Sequence, residues 1–131
     1  MTALDDGAKF MNQIAGAFPG AARIIRAQRQ EVRGEILPHM EMSGLISWAG
    51  ETYAKSRGTD PASRRARREL ERFLQMLEAR FETGEQEVDD LIAVSFLEGL
   101  VQTGESLPGL RALLGPRMLT WYRLACEGAS P

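Results

Sequence analysis

The sequence has few of the residues that build covalent cross-links, metal centres or catalytic dyads. It contains one cysteine, Cys126, and one histidine, His39. A single cysteine cannot form an internal disulfide and has no cysteine partner for a metal site. The sequence also lacks a phosphate-binding loop, a dinucleotide-binding glycine pattern, a zinc-protease motif and a nucleophile elbow. It therefore predicts a protein without a catalytic motif, a metal or a cofactor.

Long apolar runs and a surplus of basic residues are missing as well. The longest apolar run, Leu91 to Val94, is far shorter than the ~18 residues of a membrane span. Asp5 and Asp6 precede the first apolar stretch, so the N-terminus does not resemble a signal peptide. The net charge of −2 argues against non-specific binding to nucleic acid or anionic lipid. We expect a cytoplasmic protein with neither nucleic acid nor a membrane as its partner.

What the sequence does contain is apolar residues at helical spacing. The 131 residues, with 44% hydrophobic and 26% charged, are typical of one globular domain, which we assign to 1–131. Apolar stripes, separated by proline or glycine, predict helices over about 4–18, 21–36, 40–55, 61–83 and from about 85, a short turn at 110–114 and a last helix from Pro116. The prediction is an all-α fold: a compact bundle of about five to seven helices, arranged as stacked antiparallel hairpins around a central apolar helix.

The helix that begins near residue 85 is predicted to be the central one. From Leu91 to Val101 its apolar residues cover most of the circumference at an α-helical period. Only Ser95, Glu98 and Gln102 form a narrow polar strip. A helix this apolar lies between other helices.

Charged residues are distributed unevenly. The arginines of the second helix, Arg29 among them, are predicted to form a solvated face. The run Arg64 to Arg68 is interpreted first as a solvated helix face, with a protein-binding patch or nucleic-acid contact as alternatives. Two pairs at i,i+4, Arg65 with Glu69 and Arg67 with Glu71, are expected to support that helix.

Acidic residues follow the arginine run. Gly84 is predicted to end the fourth helix and to turn the chain. That turn would bring Glu82, Glu85, Glu87 and Asp89 into one exposed corner, which we predict to bind a partner. Helix capping and solubility are the alternative roles of these acids. His39 follows Pro38 in a break between helices, where a capping or loop role is favoured over a role in binding or as a catalytic base.

Two stretches resemble a known family. The two segments are Glu87-Val88-Asp89-Asp90-Leu91-Ile92-Ala93-Val94-Ser95-Phe96-Leu97-Glu98-Gly99-Leu100 and Leu113-Leu114-Gly115-Pro116-Arg117. They resemble a family of small, all-helical bacterial proteins in which a Phe-Leu-Glu helix precedes a Leu-Gly-Pro turn. The break Ile36-Leu37-Pro38-His39-Met40 is similar to an earlier break in that family.

Proteins of this kind look like the immunity proteins that are encoded beside interbacterial toxins. The resemblance implies an immunity-type protein that binds a cognate toxin and occludes its active site. The positions shared with that family are predicted to lie in the core and in turns, so the resemblance assigns no functional residue to this sequence. A non-catalytic regulatory or scaffold domain is the alternative, and an enzyme built on His39 and nearby acids is a third possibility. The oligomeric state stays open.

Overall fold

The computed structural model describes residues 5–103 and 108–127, and within these ranges all regular structure is helical. Four helices come first: α1 (Asp6–Ala17), α2 (Pro19–Glu31), α3 (Pro38–Lys55) and α4 (Pro61–Arg80). The central helix α5 is continuous and consists of Gln86–Asp90, Leu91–Glu98 and Gly99–Thr103. The short α6 (Pro108–Arg111) and the last helix α7 (Pro116–Cys126) complete the described part. The predicted all-α class and the number of helices are confirmed.

Proline marks the start of most helices. Pro19, Pro38, Pro61 and Pro116 occupy the first turn of α2, α3, α4 and α7. A missing N–H is no loss at that position, and the fixed φ of proline already suits a helix. Between α1 and α2 only Phe18 is extended, so α2 begins two residues before its predicted start at Ala21.

Two helices end earlier than predicted, and in both the chain enters left-handed geometry within two residues of the last helical position. Helix α2 ends at Glu31 rather than Ile36, and the chain passes through Arg33 and Gly34 with φ of 58° and 84°. Helix α4 ends at Arg80, before Phe81 adopts an extended backbone and becomes buried. The left-handed residues of the turn, Glu82 and Gly84, follow Phe81. The predictions for Leu4 and for residues 128–131 lie outside the described residues. So does the loop predicted over 104–108 except for its last residue, Pro108, which begins α6 instead.

An aromatic cluster forms the centre of the core. Phe73 of α4 meets Phe18, Trp48 and Phe96 edge-to-face, with ring centroids 5.6, 5.0 and 5.8 Å away. Edge-to-face contacts of this kind add stability beyond the burial of area. Phe96 belongs to α5, which packs most extensively against α3 and also contacts α7. The predicted central position of α5 is therefore correct.

The middle of α5, Leu91–Glu98, is a π-helix. Its i→i+5 hydrogen bonds put more residues into each turn than an α-helix has, so the α-helical period assumed from the sequence does not apply here. Ser95, predicted to lie on the polar strip, is buried, whereas the apolar Val94 is 51% exposed. The prediction of a polar strip on this helix was therefore wrong at Ser95.

Candidate partner-binding site

The four acids predicted to form one exposed corner surround the α4–α5 turn, where Glu82 and Glu87 are exposed and Glu85 and Asp89 are half-buried. Glu82 and Glu85 lie in the turn between α4 and α5, and Glu87 and Asp89 lie in the first turn of α5. The start of α1 joins them, because the backbone N–H of Asp6 donates to Glu87 Oε1 at 3.1 Å. This contact brings together residues 81 positions apart. Local sequence reasoning had no signal for it.

The turn is held by one of the predicted acids. Asp89 Oδ1 accepts the backbone N–H of Glu82 at 2.7 Å. Glu82 has a φ of 61°, a left-handed conformation that is costly for a residue with a side chain. Gly84, at a φ of 100°, completes the turn. Asp89 thus compensates the strain at Glu82 and fixes the position of the exposed Glu82.

Glu85 forms an ion pair with Arg80. Arg80 at the end of α4 donates from Nε and Nη2 to Glu85 Oε1 at 3.1 and 2.8 Å. The same guanidinium donates to Gln13 Oε1 at 2.6 Å and lies 4.9 Å from the centroid of the Phe10 ring. Arg80 therefore links α1, α4 and the turn, and it offsets part of the negative charge. Of the four predicted residues, Glu82 has a carboxylate with no hydrogen-bond partner among the described residues.

A small cavity of about 160 Å³ adjoins the acids. It is lined by Asp5, Gly7, Pro38, His39, Glu87, Asp90 and Leu91. His39 lies in the first turn of α3, and its Nδ1 is hydrogen-bonded to Ser95 Oγ at 2.5 Å. The volume is below the ~300–1,000 Å³ of typical small-molecule pockets. Over 5–103 and 108–127, no group of three or more His, Cys, Asp or Glu side chains could hold a metal ion.

The arginines between Arg64 and Arg68 are exposed, but they do not form the ion pairs that were predicted. Neither Arg65–Glu69 nor Arg67–Glu71 forms an ion pair within 4.0 Å, so both expected pairs were wrong. Arg67 instead donates to the carbonyl oxygen of Ser56 at 2.8 Å. The side chain of Arg67 is therefore bonded to the preceding loop and not to Glu71.

Two further ion pairs were missed. Arg29, assigned to a solvated face, donates from Nε and Nη2 to the two oxygens of Glu41 at 2.8 and 3.0 Å. The Glu41 side chain is fully buried. Glu78, in the second half of α4, accepts from Arg117 Nε at 3.1 Å.

The Glu78–Arg117 ion pair explains the Leu-Gly-Pro-Arg segment that begins at Leu114. Glu78 oxygens also accept the backbone N–H groups of Arg117 and Met118 at 3.0 and 3.1 Å, which caps the start of α7. Arg117 in turn donates to the carbonyl oxygens of Phe81 and Glu78 at 2.9 and 3.1 Å, which caps the end of α4. A Cβ at Gly115 would lie 2.4 Å from Glu78 Cγ. Glycine is thus required for this approach.

These features define an all-helical domain with acids gathered around the α4–α5 turn and exposed arginines on α4. The chain belongs to the family described as a domain of unknown function, DUF7674, which matches residues 11–127. Comparisons with curated proteins and with solved structures found no match. No helix in the described part of the chain has the length and hydropathy needed to cross a membrane.

Proposed function

We propose that this protein is an immunity-type protein that binds a cognate toxin through its acidic surface. The acidic surface comprises Asp5, Asp6, Glu82, Glu85, Glu87, Asp89 and Asp90. One observation carries the proposal: acids from the start of α1, the α4–α5 turn and the first turn of α5 converge, joined by the Asp6–Glu87 contact. The resemblance to immunity proteins supplies the class of partner.

The acidic surface is suited to a basic partner. Carboxylates that lie close together produce potentials that add, which raises the association rate of a positively charged protein and disfavours other partners. Toxins that attack nucleic acid or nucleotides tend to have basic clefts, so such a cleft is the surface that an acidic inhibitor would cover. Binding there would occlude the active site of the toxin.

The surface is also held in place before binding. Asp89 is bonded to the Glu82 backbone, Glu87 to the Asp6 backbone and Glu85 to Arg80. A surface ordered in advance loses less conformational entropy on association than a mobile one. The same contacts leave Asp6, Glu82 and Glu87 exposed.

We propose that the chain acts by binding alone, in the cytoplasm where the toxin would act. The cavity beside the acids is small, and its histidine is already hydrogen-bonded to Ser95. A regulatory or scaffold domain that binds another basic protein is the alternative, since the same surface would serve it. A toxin gene immediately upstream of the coding sequence favours the first proposal.

The test reverses two exposed acids. Glu82→Lys combined with Asp90→Lys reverses two exposed charges of the surface and removes no ion pair, only the hydrogen bond that Gln86 donates to Asp90. Reversal of Glu85 would instead leave Arg80 without its ion pair. The matched control is Glu31→Lys with Glu35→Lys, the same charge change at exposed positions around the end of α2. Wild type and control should protect cells that co-express the toxin, whereas the double reversal should not.

Binding measurements separate the surface from the class of partner. The double reversal should keep the helical spectrum and the melting behaviour of the wild type and weaken toxin binding, with a smaller dependence on salt. Full protection by the double reversal would show that the acidic surface is not the binding site. If the wild type itself protects against no neighbouring toxin, the regulatory alternative replaces the immunity proposal.

A further inference from the structure

A cavity of about 370 Å³ lies where α2, α3 and α4 meet. Gly20 and Arg23 line it from the start of α2, Trp48 and Lys55 from the second half of α3, and Glu69 from α4. Its volume lies within the ~300–1,000 Å³ of typical small-molecule pockets. The cavity shares no residue with the acidic surface, so the proposed function makes no use of it.

Trp48 brings to this cavity a hydrogen-bond donor that lacks an acceptor. Its ring packs against Phe18 and Phe73, and only 6% of the residue is exposed. A buried indole N–H usually has a partner, but no residue that the structure describes accepts from Trp48 Nε1. Among the described residues only Gln28 Oε1 is enclosed without a partner, so Nε1 is open to solvent. Since a Cβ at Gly20 would lie 2.4 Å from Nε1, this N–H faces the cavity that both residues line.

The start of α2 contributes further donors. This helix has 13 residues, and its N-cap Phe18 makes no side-chain hydrogen bond to it. The backbone N–H groups of Gly20 and Ala21 therefore have no partner inside the helix and no capping side chain, and the helix dipole is positive here. Arg23 and Lys55 add two cations to the lining. Such a helix start is suited to a carboxylate or a phosphate group.

Two acids line the same cavity. They are Glu51 of α3 and Glu69 of α4, which face the same space as Arg23 and Lys55. None of these four side chains forms an ion pair within 4.0 Å with a described residue. A phosphate dianion would be repelled by the two carboxylates. A small molecule that carries one carboxylate and one ammonium group instead suits both the donors and the acids.

We propose that this cavity binds a small zwitterion of the α-amino acid class. The carboxylate of the ligand accepts from Trp48 Nε1 and from the N–H groups at the start of α2, and its ammonium group interacts with Glu51 and Glu69. Ile24 and Ala66 are apolar parts of the lining that contact the side chain of the ligand. Because the ligand contacts three helices, its binding stabilises their packing. The site does not depend on the proposed function.

An NMR titration of the full chain tests the site. Glycine, L-leucine and L-phenylalanine are added in turn to isotope-labelled protein, and the indole N–H signals of Trp48 and Trp121 are followed. Trp121 lies outside the cavity and is the internal control. We expect at least one of these amino acids to shift the Trp48 signal saturably, with a Kd of about 1 mM or tighter, and to leave Trp121 unchanged. No saturable shift of Trp48 with any of them would overturn the proposal, and the toxin-protection assay would be unaffected.

Derivatives of the amino acid that binds separate its two charges. The N-acetylated form lacks the ammonium group, and the amide lacks the carboxylate. Each should bind about tenfold or more weakly than the free amino acid. Equal binding of the N-acetylated form would show that the cavity takes carboxylates in general, which would overturn the assignment to a zwitterion.

Variants locate the site. Glu51→Gln with Glu69→Gln removes the acids at nearly constant size, so it should weaken binding of the amino acid by about tenfold or more and affect the N-acetylated form much less. The matched control is Glu31→Gln with Glu35→Gln, at exposed positions outside the cavity. Gly20→Ala places a Cβ against the indole nitrogen and should abolish the shift, with folding checked by a thermal melt. An equal effect of the control, or full binding by the Glu51 and Glu69 variant, would contradict the site.

Discussion

The Arg29–Glu41 pair is the most consequential contact at the scale of single residues. The Glu41 side chain is completely buried at the start of α3, and Arg29 from α2 satisfies both of its oxygens. A buried carboxylate is costly without a hydrogen-bonded cation, because desolvation disfavours its charged form. The pair therefore fixes how α2 and α3 are positioned relative to each other.

Removing one partner should be worse than removing both. Arg29→Met leaves the Glu41 carboxylate buried and unpaired, so we expect a loss of about 3 kcal/mol in the free energy of unfolding. The double variant Arg29→Met with Glu41→Leu removes the charge as well and should lose clearly less. Urea unfolding of both variants measures this difference. Equal losses in the single and double variants would contradict it.

The N-cap of α4 predicts a dependence of stability on pH. The backbone N–H of Ser63, and then its hydroxyl, donate to Asp60 and hold the pKa of this carboxyl below its usual value of 3.8. Because the pKa is lower in the folded state, the carboxylate stabilises the fold at pH values above 3.8. That contribution is lost as the pH falls through the folded pKa.

Asp60→Asn isolates this charge, since asparagine also caps helices well. We expect the wild type to be more stable than the variant at neutral pH and the difference to disappear in acid. Thermal melts of both proteins from pH 7 down to about pH 2 measure it. A difference that does not change with pH would show that the charge of Asp60 is not involved.

At the scale of elements, one carboxylate and one guanidinium dock α7 onto α4. Glu78 caps the start of α7 and Arg117 caps the end of α4, so each helix satisfies backbone groups of the other. Unsatisfied groups at helix ends otherwise require water or a side chain. Gly115 allows the close approach that this exchange needs.

Adding a methyl group at Gly115 should therefore disturb the docking. Gly115→Ala places Cβ against Glu78, and we expect a loss of about 1–3 kcal/mol in the free energy of unfolding. Gly16→Ala is the matched control, because nothing lies within 4 Å of its Cβ and alanine favours α1, with a gain of up to about 1 kcal/mol. In a Glu78→Ala background most of the Gly115→Ala penalty should vanish. A penalty that persists there would show that Glu78 is not the obstacle.

At the scale of the whole molecule, charge is separated along α4. Exposed arginines lie at its start, and the acidic surface follows its end, about 30 Å away. Positive and negative charges are thus separated on the surface, although the net charge of the protein is only −2. Such a molecule orients a charged partner before contact.

This separation does not make the arginine run a nucleic-acid site. Arg64, Arg65 and Arg68 lie on one helix of a net-acidic protein, so a long polyanion that binds them also meets the repulsion of the acids. In gel shifts at physiological salt we expect no binding of duplex DNA or RNA tighter than the non-specific ~10⁻⁴–10⁻⁶ M range. A tighter, salt-dependent complex that Arg64→Glu abolishes would reassign this face to nucleic acid.

The sequence by itself determined which segments are helical, apart from their ends, and much of the apolar core, although not that Val94 is exposed. Amphipathic spacing and proline starts are local properties, so α3 and the burial of Phe73 could be predicted without knowing any neighbour. The acidic turn around Gly84 was equally local. Only the tertiary structure decided that Asp6 joins Glu87, that Arg29 reaches a buried Glu41 and that a π-helix turns Ser95 towards His39. Each of these depends on which helices face each other, and spacing within one helix carries no information about the residue that the next helix brings against it.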